Sequence, residues 1–308
     1  MAAIRAGQLG ADTVLIEKEA LGGTCLNWGC IPTKSFVRSA ELFADIKDAK
    51  SFGIKVENAE VDFPAVVKRK DKIVTRLVKG IDHLIKRNNV ERINGTASFI
   101  DKNHLQVEND EETIEIEAEN IIIATGSKAS SLPIPGADLD GILDSRAALE
   151  LEELPESMVV VGGGIIGMEF AFIFRNFGVD VTVVEYLDQL VTGVDKDIAS
   201  ELNRSARRRR ITVKTGAEVK EIEKTESGYQ VFYQQKDKDK SVKAEKVLMA
   251  VGRRPYHKGL KAENAGVEVY DKRGAIKVNK KMETNIDGVY AIGDVTDEIL
   301  LAHVASHQ

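Results

Sequence analysis

Apolar positions along the chain recur with two periods, and the change from one to the other marks out strand, loop and helix. Ala2 to Leu9 reads as a helix, and Thr13 to Ile16 as a buried strand closed by Glu17. Gly22-Gly23 then makes a turn, and another helix starts near Gly29. From Phe63 to about Asn88, Val66, Ile73, Leu77, Ile81, Leu84 and Ile85 recur at helical spacing, which predicts one long amphipathic helix. Alternating segments from Ile93 to Glu117 predict an antiparallel meander. A strand from Ile121 to Ala124 follows and runs into Thr125-Gly126-Ser127.

Proline and glycine break the pattern at Pro133 to Gly136, and a second α/β unit begins after Pro155. Met158 to Val161 reads as its first strand, Ile165 to Phe177 as a helix, and Val181 to Val184 as a strand ending in Glu185. A helix from Asp195 to about Arg208 and strands around Val213, Val219, Tyr229 to Gln235 and Lys246 to Ala250 complete this unit. From roughly Tyr270 the chain returns to the first domain, with a strand at Gly288 to Ile292 entering Gly293-Asp294. The expected division is 1–142, 143–269 and 270–308.

Composition adds little to this pattern except by exclusion. The 308 residues are 43% hydrophobic and 30% charged with a formal charge of −6, enough for two ordinary globular domains. The sequence holds no polybasic tail, no apolar run long enough to span a bilayer and no signal peptide, so the expectation is a cytoplasmic protein that binds neither membrane nor nucleic acid. The one basic run, Arg207 to Arg210, follows a helix, where cations are favoured by the macrodipole; a solvated helix end is preferred there over a 2′-phosphate contact.

Val159-Val160-Val161-Gly162-Gly163-Gly164-Ile165-Ile166-Gly167 is an apolar strand running into G-x-G-x-x-G at a helix start. The glycine pattern alone is weak, but here its context is met. Gly162 permits a tight turn, Gly164 lets backbone approach a pyrophosphate, and Gly167 allows close helix packing. The helix N-terminus adds unpaired N–H groups. Glu185, at the end of the next strand, is placed to accept from a ribose 2′-hydroxyl and to repel a 2′-phosphate, which favours NAD over NADP.

The chain has only two cysteines, and both lie in Leu21-Gly22-Gly23-Thr24-Cys25-Leu26-Asn27-Trp28-Gly29-Cys30-Ile31-Pro32-Thr33-Lys34. Thiols at a helix start have a lowered pKa, and two of them at this spacing can close a disulfide across an irregular first turn, so a redox pair is favoured. Two buried cysteines acting as small hydrophobes remain the alternative on residues alone. No second cysteine pair or nearby histidine completes a zinc site, and no metal is expected.

This second segment resembles the active-site segment of the flavoprotein disulfide reductases, and within that family it is most similar to the dihydrolipoamide dehydrogenase branch. Ala124-Thr125-Gly126-Ser127, Val251-Gly252-Arg253-Arg254-Pro255, and Ala291-Ile292-Gly293-Asp294 through Leu301-Ala302-His303 resemble its cofactor-contacting segments in the expected order, so the likeness covers essentially the whole chain. It implies an α/β fold of two Rossmann-like domains of three-layer ββα type, one for FAD and one for NAD. The implied reaction is oxidation of dihydrolipoyl groups with NAD as acceptor.

The resemblance further implies that Cys25 exchanges with the dithiol while Cys30 lies against the flavin, with Lys34 and Glu169 paired near the flavin's reactive end. Glu17, Gly22, Gly23, Thr24, Lys34, Gly95, Thr125, Gly126, Ser127, Asp294, Leu301, Ala302 and His303 would contact FAD. Gly162, Gly164, Gly167, Glu169, Glu185, Val219 and Gly252 would contact NAD. His83, His104, His257 and His307 belong to no such constellation.

Against the family plan, the sequence is expected to lack the first flavin-domain strand with its Gly-rich loop, and also the C-terminal interface domain. That domain carries a His-Pro base serving the partner subunit of a homodimer. A shortened chain of this kind is not expected to complete the reaction unaided. The implied partner is a lipoyl carrier domain of a 2-oxoacid dehydrogenase complex. Glutathione- or mercuric-reductase-like chemistry, and a residual NAD-binding module, are the alternatives.

Overall fold

The computed structural model describes residues 1–270, 272–297 and 299–308. In chain order its elements are α1 (Ala2–Gln8), β1 (Val14–Glu17), α2 (Gly23–Asn27), α3 (Cys30–Asp48), α4 (Phe63–Arg87), β2 (Glu91–Asn94), β3 (Thr96–Phe99), β4 (His104–Glu108), β5 (Thr113–Glu117), β6 (Ile121–Ile123), β7 (Ser127–Ala129), β8 (Ile142–Leu143), α5 (Ser145–Leu149), β9 (Ser157–Val161), α6 (Ile165–Phe177), β10 (Asp180–Val184), α7 (Lys196–Arg208), β11 (Thr212–Lys214), β12 (Ala217–Thr225), β13 (Gly228–Gln235), β14 (Lys238–Ala244), β15 (Lys246–Met249), β16 (Arg253–Pro255), β17 (Val289–Ala291) and α8 (Ala302–His307). They form two units, one of Met1–Asn27, Thr75–Lys128 and Arg253–Gln308, the other of Trp28–Val74 and Ala129–Gly252. Among the described residues no helix is long and apolar enough to cross a membrane.

The unit holding 129–252 is a three-layer α/β structure. Its central sheet runs β11-β10-β9-β15-β8, with every pair parallel. Side chains alternate across it with period two. Met158, Val160, Val181, Val183 and Leu248 join the core shared with α3 and α6, where Phe36, Ala40, Phe170, Ala171 and Phe174 are buried. Val159, Val161, Val184, Val247 and Met249 face the other way, onto Val219, Ile222, Tyr229, Val231 and Tyr233 of the antiparallel sheet β12-β13-β14. A parallel sheet covered on both faces demands apolar residues at consecutive positions, which is why Val159-Val160-Val161 carries no polar alternation. This is the expected ββα arrangement.

In the other unit β1 pairs β2 in parallel and β6 pairs β17 in parallel, while β3-β4-β5 form an antiparallel meander. Phe99, Ile121, Ile123, Ile276, Val289 and Val295 make its main core, and Leu21, Ile85 and Val90 a smaller one with Ile4, Leu15 and Ile81.

Four local expectations are corrected. The strand expected to be buried, Thr13 to Ile16, has Val14 38% exposed and no fully buried residue; among the described residues β2 is its one ladder partner. Ile93, expected within the meander, belongs instead to β2 in the parallel pair. The turn before the third helix contains a helix of its own, α2. On α4, Leu77 and Leu84 are 36% and 41% exposed, whereas Lys70 is buried and donates to the Leu149 carbonyl at 3.0 Å. The apolar stripe on α4 is therefore narrower than its spacing implied.

Candidate functional site

The glycine loop between β9 and α6 shows why each of its glycines is needed. Gly162 has φ +105°, a backbone state that L side chains rarely adopt. A Cβ at Gly167 would run into the Gly162 carbonyl oxygen and lie 3.2 Å from Val160 Cγ1, so the first turn of α6 can sit on the loop only without one. A Cβ at Gly164 would meet nothing within 4 Å. Gly164 is also the N-cap of α6 and supplies no side-chain cap to the first N–H groups of this 13-residue helix.

Glu185 follows β10 and turns back to this loop. Its Oε2 accepts from the Gly163 N–H at 2.5 Å and its Oε1 from the Leu187 N–H at 2.8 Å. Each carboxylate oxygen can accept again, so the capacity to take ribose hydroxyls is retained. Gly163 had no role in the sequence reading, yet a Cβ there would lie 2.5 Å from Leu190 Cδ2 and 3.2 Å from Glu185 Cβ. The run of three glycines was the available signal.

The parallel register also settles the basic run. β11, which follows the run, pairs in parallel with β10 from Thr212 opposite Thr182, so the run precedes the strand pair while Glu185 follows the end of β10. Arg208 binds Glu201 at 2.7 Å, and the Arg209 guanidinium lies 5.9 Å from the Phe172 ring. The run is a helix end, as expected.

Cys25 lies in α2 and Cys30 is the first residue of α3; both are disulfide-bonded, and the chain has no other cysteine with which either could pair. Cys30 therefore stands at the positive end of a 19-residue helix. Lys34, one turn further on the same face, is ion-paired to Glu169 of α6. Between the cysteines, the Trp28 ring lies 4.2 Å from the guanidinium of Arg146, a residue of α5 that belongs to no sequence motif. Asn27 Nδ2 donates to the Leu21 and Gly23 carbonyls at 2.9 and 3.0 Å, closing the loop that carries Gly22, Gly23 and Thr24.

In the unit holding the termini, Glu17 ends β1 and accepts from the Glu19 N–H at 2.9 Å. Ser127 donates to Asp294 Oδ2 at 2.5 Å and accepts from Arg253 Nε at 2.8 Å, and its carbonyl accepts from Arg253 at 2.6 Å. Three segments far apart in sequence thus meet around one hydroxyl, and Arg253 is the member that the sequence reading left without a role. Thr125 and Gly126 lead into Ser127, and a Cβ at Gly126 or Gly23 would meet nothing within 4 Å. Leu301, Ala302 and His303 are exposed where α8 begins.

Of the remaining expected contacts, Gly95 is half-buried, with a Cβ there 2.7 Å from Val107 Cγ1; Val219 is buried at 6% exposure; and Gly252 is exposed with open space around it. Among the described residues no three His, Cys, Asp or Glu are grouped to hold a metal ion.

Known proteins agree with this geometry. The family model "Pyridine nucleotide-disulphide oxidoreductase" matches residues 1–308. The chain is 40% identical to a dihydrolipoyl dehydrogenase of Acholeplasma laidlawii, covering all of this chain and 90% of that one. It is also 40% identical to that of Bacillus subtilis, covering 67% of it. Among solved structures it is similar to the Cu(II) complex of the HOCl-induced flavoprotein disulfide reductase RclA from Escherichia coli, with TM-score 0.87 and 33% identity over 99% of this chain and 65% of that one. The chain thus spans about two thirds of the length of most of these relatives. The chain belongs to the pyridine nucleotide-disulphide oxidoreductase family.

Proposed function

We propose that the protein oxidises dihydrolipoyl groups to lipoyl with NAD as acceptor, using the Cys25–Cys30 disulfide and FAD. The observation that carries this reading is the disulfide at the head of α3, with the Lys34–Glu169 pair one turn behind it. The segments 1–142 and 270–308 are proposed to serve FAD, and 143–269 to serve NAD.

The residues present fit both cofactors. For NAD, the open space at Gly164, the uncapped start of α6 and the carboxylate of Glu185 match a pyrophosphate and a ribose. For FAD, the open glycines Gly23 and Gly126 allow close backbone approach, and Asp294 Oδ1 accepts no hydrogen bond among the described residues, while Oδ2 is held by Ser127. Bound FAD would relay the two electrons taken from the dithiol to NAD.

The chain's own residues account for the thiol steps. A substrate thiolate attacks Cys25 Sγ, forming a mixed disulfide and releasing Cys30 as a thiolate. The second substrate thiol then attacks the substrate sulfur of that mixed disulfide, closing the lipoyl ring and releasing Cys25. The helix dipole at the start of α3 stabilises negative charge at Cys30, which makes Cys30 the better leaving group and Cys25 the sulfur attacked. Glu185 disfavours the NADP-dependent alternatives, and the basic run ends α7, with Arg208 bound to Glu201.

The protein is proposed to be cytoplasmic and homodimeric, and to serve the lipoyl carrier domain of a 2-oxoacid dehydrogenase complex. The test is to load the purified chain with FAD, desalt it, and add dihydrolipoamide under anaerobic conditions with NAD or NADP. Retained flavin, reduction of the disulfide and preference for NAD are expected. A chain that retains no flavin and whose disulfide ignores the dithiol would overturn the reading.

A further inference from the structure

Trp28 is the only tryptophan and lies between the two cysteines, immediately before the N-cap glycine of α3. The residue over its ring, Arg146, is itself firmly held. Asp144 caps α5 by accepting from the Arg146 and Ala147 N–H groups at 2.9 and 2.8 Å. At the other end of α5, the buried Lys70 donates to the Leu149 carbonyl at 3.0 Å, and Ala148 and Leu149 are buried in the core. Arg146 Nε donates to Glu150 Oε1 at 3.3 Å. A cation fixed on an anchored turn thus meets the middle of the segment that the disulfide closes.

We propose that Arg146 is a positioning residue for the redox pair: its guanidinium, stacked on Trp28, favours the disulfide form of Cys25–Cys30 over the dithiol. A contact shifts an equilibrium only by the difference in its strength between the two states. With the disulfide closed, residues 26–29 form a short covalent loop and the indole is held in place. Once the bond is reduced, the ring must be ordered again at an entropic cost before the stack can form. The coupling is reciprocal, so a stack that gains from the closed loop also stabilises the closed loop. This inference rests on Cys25–Cys30 being the exchanging pair, as proposed above.

The test equilibrates the full chain with graded ratios of reduced to oxidised dithiothreitol, traps free thiols by alkylation and counts them by mass. Dithiothreitol gives up two electrons and two protons and closes its own ring as the Cys25–Cys30 bond opens. An exposed cation–π contact corresponds in full to about a 2- to 5-fold change in an equilibrium constant, which sets the upper limit of its difference between the two states. Arg146→Ala is therefore expected to reach half reduction at a lower ratio than wild type, by a factor of up to about 5, with Arg146→Lys falling between them. Trp28 emission should change on reduction in wild type and change less in R146A, a signature that loss of fold stability alone does not produce. Should R146A not fold, Arg146→Met keeps an unbranched side chain on α5 without the charge and is expected to show the same shift. An unchanged midpoint in a folded variant overturns the inference. A wild-type disulfide that dithiothreitol does not open at any ratio overturns instead the reading on which the inference rests.

Discussion

Two alanine substitutions in one loop should separate the loop's structural role from its binding role. At Gly164 the backbone has φ −71° and ψ −174°, open to any residue, and the new methyl meets no atom within 4 Å. Reduced freedom of the unfolded chain favours alanine by about 0.4–1 kcal/mol, while alanine is a poorer N-cap than glycine by a comparable amount, so Gly164→Ala should be nearly neutral in stability. The methyl nevertheless takes up open space at the uncapped start of α6, where a pyrophosphate is proposed to be held. Displacing the phosphate by roughly 1 Å lengthens charge-assisted hydrogen bonds of about 2.8 Å beyond useful reach. Loss of one such bond, about 1.5–3 kcal/mol, weakens NADH binding by about ten- to a hundredfold. At Gly167 the methyl is driven into the Gly162 carbonyl, and restoring a normal C···O separation of about 3.3 Å moves the helix start by roughly 1 Å. Overpacking of that kind costs about 1–3 kcal/mol, so Gly167→Ala should lower the urea midpoint and weaken NADH binding together. Urea denaturation and NADH fluorescence titration on both variants decide the matter. The reasoning is refuted if G164A binds NADH within twofold of wild type, or if G167A is as stable as wild type.

Lys34→Met removes an ion pair whose side chains are 60% and 29% exposed, so screening limits its contribution to stability to less than about 1 kcal/mol. Thermal unfolding should barely move, while dithiol-driven reduction of NAD by the FAD-loaded chain should slow at least about tenfold; a large loss of stability would make the pair structural. Tyr229 donates to the Asp140 carbonyl at 2.5 Å, and burial, aided by the nearby Asp140 charge, holds its phenol above the usual range. Tyr229→Phe should cost about 1 kcal/mol in urea unfolding. In wild type, the stability contributed by Tyr229 should be present below pH 10 and lost as pH rises through the folded-state value, because only the unfolded chain ionises first. A spectrophotometric titration in which Tyr229 ionises at or below pH 10 would contradict this. His104 lies 2.9 Å from Asp101, whose hydrogen bond to the ring raises the imidazole pKa. Its NMR titration midpoint should lie above 6.5, with the associated stability present below 6.5 and lost as pH rises through that midpoint. Asp101→Asn should return the midpoint towards 6.5, and a midpoint that the substitution leaves unchanged would remove Asp101 as the cause.

The parts of the fold legible in the sequence are those in which a period and a local chemical requirement coincide. The span expected for α6, Ile165 to Phe177, is the span observed, because a glycine loop fixes its start and Gly178, in a left-handed state, fixes its end. Asp195, where the helix was expected to begin, is the N-cap of α7. Strand β14 left no such trace: Lys238-Asp239-Lys240-Ser241 has no apolar alternation and pairs only because β13 presents a ladder to it. Charges there suit an edge strand, since they discourage pairing with another chain, and the same charges hide the strand from a reading based on hydrophobicity.

The candidate site divides along the same line. Gly162, Gly164, Gly167, Glu185, Cys25 and Cys30 announce themselves because each works within a short local segment: a turn, a helix start or the end of the next strand. Ser127, Arg253 and Asp294 meet across 126 and 167 positions of sequence, and Arg146 reaches Trp28 from a helix that nothing local connects with the cysteines. No spacing rule predicts such meetings, because the topology of the chain creates them. The asymmetry has a consequence for the chemistry. The locally encoded residues specify which bonds are made and broken, whereas the residues brought together by topology hold those groups in place. Substitutions in the first set should therefore abolish a step, and substitutions in the second should shift its equilibrium or rate by small factors. The modest shift expected for Arg146→Ala, set beside the ten- to a hundredfold loss of NADH binding expected for Gly164→Ala, is one measurable form of that difference.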